Sequence, residues 1–108
     1  MDTIAISDFK RVELRTAKIL EVHELPGADK LWRLWIDLGT EKREIVAGIK
    51  TAYPKESLVG KSIVVVSNLA PAVIRGAASN GMLLAAKHEK ELSLITLDKE
   101  LPAGSLVG

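Results

Sequence analysis

The chain has no cysteine, one tyrosine, one phenylalanine and only two histidines. Without cysteine there are no disulfides, no thiol nucleophile and no Cys-ligated zinc, and a reducing cytoplasm is the expected setting. His23 and His88 lie far apart in sequence with no carboxylate at ligand spacing, so both are read as surface residues and no metal site is expected. No apolar run approaches the roughly 18 residues that a membrane span needs. The start, Met1-Asp2-Thr3-Ile4, lacks the basic and apolar regions of a signal peptide. With 108 residues, 47% of them hydrophobic, and no low-complexity tract, one soluble folded domain over 1–108 is expected.

Charge is scarce in one further place. Asn68 to Ala86 holds a single charged residue, Arg75, although the chain as a whole is 27% charged. Two Gly, one Pro and an Asn-Gly pair break this run into short extended pieces. So little charge and so many small residues allow close approach of the core, a second subunit or a ligand backbone. Around it the balance is basic: residues 45–88 contain Lys50, Lys55, Lys61, Arg75 and Lys87 against Glu56 alone. That excess suits an anionic partner, and ordinary solubilising charge is the plainer explanation.

The hydrophobic period is close to two. Between Val12 and Val22, the residues Val12, Leu14, Leu20 and Val22 share one parity. After a Pro26-Gly27 turn, Trp32, Leu34, Ile36 and Leu38 alternate with polar residues. Gly39 and the polar 40–43 loop lead into a third strand over Glu44–Ile49. Pro54 to Gly60 reads as one helical turn, and Ser62–Ser67 as a buried strand rich in β-branched residues. Met82–Lys87 and Leu92–Leu97 form a last pair around a polar turn. A short helix at Asp8–Arg11, capped by Ser7 or Asp8, precedes the first strand. The expected fold is all-β: a five-stranded OB-fold Greek-key barrel with a short N-terminal helix and a short helix between strands 3 and 4. An SH3-like barrel does not account for a helical turn at that place.

Enzyme chemistry finds no foothold. Gly76 and Gly81 have P-loop spacing, but Met82-Leu83 follow where that loop needs Lys and Ser/Thr. Ser67 and Ser79 have no nucleophile-elbow context. Neither catalytic residues nor a cofactor are therefore expected. Trp32 belongs with the apolar face of its strand, whereas Trp35 shares a face with Arg33 and Asp37. An exposed Trp35 beside Arg33 would offer a stacking platform for nucleobases, and a Trp35 covered by a loop or the first helix would be structural.

Five ordered motifs then carry a resemblance. They are Asp8-Phe9-x-x-Val12-Glu13-Leu14-Arg15, Ala28-Asp29-Lys30-Leu31, Ile45-Val46-Ala47-Gly48, Asn68-Leu69-x-Pro71 and Arg75-Gly76-x-x-Ser79-x-Gly81-Met82-Leu83-x-Ala85. From about Phe9 onward the chain resembles the structure-specific tRNA-binding domain. That domain occurs as a free-standing homodimeric protein and as the C-terminal domain or beta subunit of methionyl-tRNA synthetases. Relatives include synthetase-associated cofactors and a bacterial protein described as a secretion chaperone. The sequence departs from the family pattern at Thr16-Ala17, where Val-Gly is common, at Ala77, where a larger apolar residue is common, and at Asn80, where Gln is usual.

The resemblance implies an OB-fold dimer that grips the outer corner of L-shaped tRNA, in support of methionyl-tRNA synthetase. A-form RNA hides its base edges, so shape, phosphates and 2′-hydroxyls carry such recognition. Carried over to this chain, the implied contacts are Lys30 and Arg75 on phosphates, Asn68 and Ser79 on sugar or backbone, and Met82 on an exposed base or ribose. Lys50, Lys61 and Lys87, with Arg33 and Trp35, are weaker candidates for the surrounding surface. Four of these five principal residues also have a plain role: Lys30 as surface charge, Asn68 as a turn cap, Ser79 holding its own loop, Met82 in the core. A chaperone-like module that binds unfolded polypeptide on the 68–86 surface is the alternative function.

Overall fold

The computed structural model describes residues 2–108. Its centre is a curled antiparallel sheet built on a long first strand, β1 (Leu14–Glu24). Beside it run β2 (Trp32–Asp37) and β3 (Lys42–Ala47), with β4 (Ser62–Val66) on the other edge and β7 (Met82–Leu83) beyond. Between β4 and β7 lies a hairpin of β5 (Ala72–Ile74) and β6 (Ala77–Ser79). A second hairpin, β8 (Ala85–His88) and β9 (Glu91–Leu94), follows, and β10 (Leu106–Val107) returns to pair with the start of β1.

The sheet closes on itself. The free edge of β3 meets the residues leading into β7: the Asn80 amide donates to the Glu44 carbonyl at 2.9 Å, and the Val46 amide donates to Ser79 Oγ at 3.0 Å. β7 then pairs with β4, and β4 with β1, completing an OB-like barrel.

The alternation over Leu31–Leu38 is realised as predicted, with Trp32, Leu34, Ile36 and Leu38 all buried. The first strand behaves differently. Ile19 pairs with Ile36 but Glu21 pairs with Trp35, so Leu20 is a bulged residue. The extra residue switches the inward parity, from Ala17 and Ile19 before it to Val22 after it. Val12 and Leu14, predicted to share the buried face, are exposed and half-buried. The bulge also adds the bend and twist that let one strand serve both β2 and β4.

The first helix, α1 (Ile6–Phe9), starts two residues before the predicted one. Asp8 and Phe9 both donate their amides to the Ala5 carbonyl, so Ala5 occupies the cap and neither Ser7 nor Asp8 does. The second helix, α2 (Lys55–Leu58), lies where it is predicted. Pro54 caps it in an extended conformation, and Gly60 turns the chain away at φ +87°. Leu58 is fully buried among Ile19, Ile63 and Val65.

The predicted continuous strand Met82–Lys87 changes partner at Leu84. Its amide donates to the Val64 carbonyl of β4, while its carbonyl accepts from Ile95 beyond β9. The predicted partner strand Leu92–Leu97 is realised as Glu91–Leu94.

The C-terminal segment straps the outside of β1. Thr16, one of the departures from the family pattern, is fully buried there. Its hydroxyl donates to the Pro102 carbonyl and accepts from the Ser105 amide, both at 3.1 Å. Gly104 and Gly39 stack backbone on backbone: a Cβ on Gly104 would lie 2.2 Å from the Leu38 carbonyl oxygen. Among the described residues no helix is long and apolar enough to cross a membrane.

Candidate nucleic-acid interface

A second, smaller apolar cluster on the outside of the barrel organises the candidate surface. Leu25, Ala28 and Leu31 from the β1–β2 loop pack with Val46 of β3 and with Ile74 and Ala77 of the β5–β6 hairpin. Ile74 and Ala77 bracket the Arg75-Gly76 turn, and Ala28 and Leu31 bracket Lys30. One cluster therefore carries both cations at its margin. The cluster also explains Ala77, where a small side chain lets the hairpin lie close to Val46.

The hairpin presents Arg75 at its tip. Ile74 pairs with Ala77, leaving Arg75 and Gly76 as a two-residue turn, with φ of +52° and +82°. Positive φ at both central residues is the requirement of a type I′ hairpin turn. A side chain held there points off the end of the sheet. Neither Arg75 nor Lys30 takes part in an ion pair among the described residues, and both are exposed.

Lys87, read from sequence as a weaker candidate, joins Lys30 in a cleft of about 390 Å³. The remaining predicted residues are placed as follows. Met82 is 49% exposed at the end of the barrel, so it is not a core residue. Asn68 lies close by along the sheet, two residues past Val66, the β4 partner of Met82. Its side chain accepts from the Glu13 amide at 2.8 Å and donates to the Arg11 carbonyl at 2.7 Å, tying the entry of β1 to the exit of β4.

Ser79 is only 4% exposed, and its hydroxyl both accepts from the Val46 amide and donates to the Gly81 carbonyl. Its proton and one of its two acceptor positions are used within the chain. Ser79 therefore fastens the hairpin to β3, and direct contact with RNA does not fit its burial.

The weaker candidates separate in the same way. Lys50 lies over the Trp32 ring at 4.9 Å and pairs with Glu24 at 3.3 Å. Lys61 lies over Tyr53 at 5.5 Å, beside α2. Arg33 faces Glu44 at 3.7 Å, with its Nε buried and without a hydrogen-bond partner. Trp35 is half-buried, and its cross-strand partners are Glu21 and Glu44. Two flanking carboxylates repel a phosphate backbone, which disfavours Trp35 as a stacking platform.

Sequence reading also passes over a polar network at the β1 entry. Glu13 accepts from Arg15 Nε and from Ser67 Oγ, both at 2.7 Å, and Arg43 donates to the Ser67 carbonyl and pairs with Glu41. Hydrogen bonds from Arg15, then from Ser67, hold the Glu13 carboxyl below its ordinary value near 4.5, with the charge of Arg43 adding to the effect. A cavity of about 250 Å³ opens here, but its two arginines are balanced by two carboxylates. The network braces the barrel and offers no net charge to an anion. Its members are remote in sequence, so no spacing signal announces it. Among the described residues no cluster of His, Asp or Glu is suited to hold a metal ion.

An OB-like barrel with unpaired cations around an outer hairpin defines a nucleic-acid-binding class of domain. The comparisons agree. Residues 14–106 match the family model of a putative tRNA binding domain, and the chain belongs to that family. It is 56% identical over 106 residues to a methionine–tRNA ligase of Thermotoga maritima and 49% identical over 107 residues to one of Methanococcus maripaludis. These alignments cover 98% and 99% of this chain but 17% and 16% of those relatives. The crystal structure of a MetRS-related protein from Pyrococcus horikoshii superimposes over the whole of both chains, with a TM-score of 0.94 and 32% identity. The chaperone CsaA from Bacillus anthracis superimposes over 99% of this chain and all of that one, with a TM-score of 0.90 and 28% identity.

Proposed function

We propose that this domain is a non-catalytic tRNA-binding module that recognises the outer corner of folded tRNA in support of methionyl-tRNA synthetase, in the cytoplasm. The observation that carries the reading is the joint placement of Lys30 and Arg75, without ion pairs among the described residues, at the margin of one cluster in a chain of the tRNA-binding family. Lysine and arginine in such positions neutralise phosphates along a curved backbone without reading bases. Met82 adds an apolar surface at the barrel end for a ribose or an unstacked base. Filter binding at increasing salt tests this. Folded tRNAs of several kinds are expected to bind well and duplex minihelices poorly, and equal binding of both overturns corner recognition.

The module works as a homodimer in this proposal. A groove of about 390 Å³ runs between α1, the entry of β1 and β10, lined by Phe9, Val12, Leu14 and Leu106. Leu106 on its wall and Ile6 on α1 are 73% and 67% exposed, more apolar surface than a lone barrel end explains. A second copy meeting this face by two-fold symmetry covers both patches at once and enlarges the footprint on one tRNA. Sedimentation at micromolar concentration is expected to give a dimer, and Leu106→Glu a monomer. A monomeric unmodified chain counts against this part.

One observation favours a second reading, a module that binds unfolded polypeptide. Val73, on the hairpin, is 78% exposed and Leu69 46% exposed, and a chaperone is among the structures that superimpose. Charge reversal at Lys30 and Arg75 separates the two: it removes RNA binding and leaves peptide binding nearly intact.

A further inference from the structure

We infer that the β8–β9 hairpin is a phosphate-binding arm, which holds the RNA backbone against Lys30 through Lys87 and Lys90. The inference rests on the tRNA-binding reading and extends it to a hairpin that the family motifs touch only at Ala85.

The two strands of the hairpin differ in their packing. β9 anchors it to the barrel through Leu94 in the core and the half-buried Leu92, whereas every residue of β8 is exposed. The exposed strand and turn are therefore held in place by β9 and free to meet a partner.

Its register aims it. Lys87 lies directly opposite Leu92, and directly opposed residues share a face. Leu92 packs against the barrel core, so the Lys87 side chain leaves on the barrel side of the hairpin, toward the β1–β2 loop. There it shares the 390 Å³ cleft with Lys30, Gly48, Thr51, Glu89 and Lys90. The Glu89-Lys90 pair forms a two-residue turn between His88 and Glu91, with Glu89 at φ +54°.

Three lysines from two remote segments thus line one concavity. None of the three takes part in an ion pair among the described residues, and one carboxylate, Glu89, opposes them. A concave site lined by one sign of charge concentrates counter-ions, and an ammonium accepts phosphate without a fixed angular demand. Gly48, which has no side chain, and Thr51 line the same cleft. The ligand that fits is a phosphodiester segment.

The test is fluorescence anisotropy with labelled total tRNA, read across a range of salt. Lys90→Ala is expected to weaken binding by about 3- to 10-fold and to reduce the salt slope by roughly one, with Lys87→Ala/Lys90→Ala doing more. Glu89→Gln, which removes the opposing carboxylate, is expected to strengthen binding by about 2- to 5-fold, a gain that a merely structural turn residue would not give. Lys99→Ala, away from the cleft, serves as the control and keeps both values. Amide chemical shifts supply a second reading, with changes at Gly48, Thr51 and Lys90 expected on adding tRNA. Unchanged affinity and slope in the lysine variants, while Arg75→Ala loses binding, overturn the arm and leave the tRNA reading standing. No tRNA binding by the unmodified chain overturns both.

Discussion

Ser79 and Lys30 belong to motifs of equal strength in the sequence, and the fold uses them in opposite ways. Lys30 is exposed with no ion pair among the described residues, whereas Ser79 is buried with its hydroxyl both donating and accepting within the chain. A motif shows that a residue type is needed but does not separate a contact from a fastening. Burial and hydrogen-bond partners make that separation. Ser79→Ala leaves the Val46 amide without its partner, which is expected to cost about 1–3 kcal/mol in denaturant unfolding. A variant of unchanged stability that loses tRNA affinity would mean that Ser79 acts on RNA instead. Lys90 illustrates the reverse case. Nothing in its own neighbourhood marks it, because its companion Lys30 is remote in sequence and only the hairpin register joins them.

At the scale of elements, legibility follows the regularity of the backbone. β2 is legible because each of its even residues faces inward without interruption. β1 is only partly so, since the bulge at Leu20 reverses the parity that the alternation implies. Helix α2 is announced by its flanking Pro54 and Gly60, whereas α1 is legible as a short N-terminal helix but not in where it starts, because Ala5 caps it through its backbone alone. The C-terminal strap is not legible at all, since it depends on Gly39 and Gly104 meeting across remote segments. A side chain on Gly104 combines positive φ with a clash against the Leu38 carbonyl, whereas Gly27 has positive φ and open space around its Cβ position. Gly104→Ala is therefore expected to lose about 2 kcal/mol or more in thermal or denaturant unfolding, and Gly27→Ala only about 1. Equal losses would contradict the close backbone contact that holds the strap.

At the scale of the whole molecule, Arg15, Arg33, Arg43 and Lys50 face carboxylates on the barrel wall. Lys30, Arg75, Lys87 and Lys90 belong to the cations with no ion pair among the described residues and lie around the outer hairpins. A formal net charge of +1 does not show this local grouping. Composition alone therefore raises an anionic partner without locating it, and the fold supplies the location. Within the sparsely charged Asn68–Ala86 run, Ile74 and Ala77 pack on the second cluster and Ser79 fastens the hairpin, while Arg75 is the one projecting cation. The most direct measurement is a tRNA titration of Lys30→Glu/Arg75→Glu beside the unmodified chain at several salt concentrations. The expected result is an affinity loss of roughly 100-fold or more at low salt, with a shallower salt slope and unchanged thermal stability. Unchanged affinity and slope in a folded variant would contradict the placement of tRNA on this face.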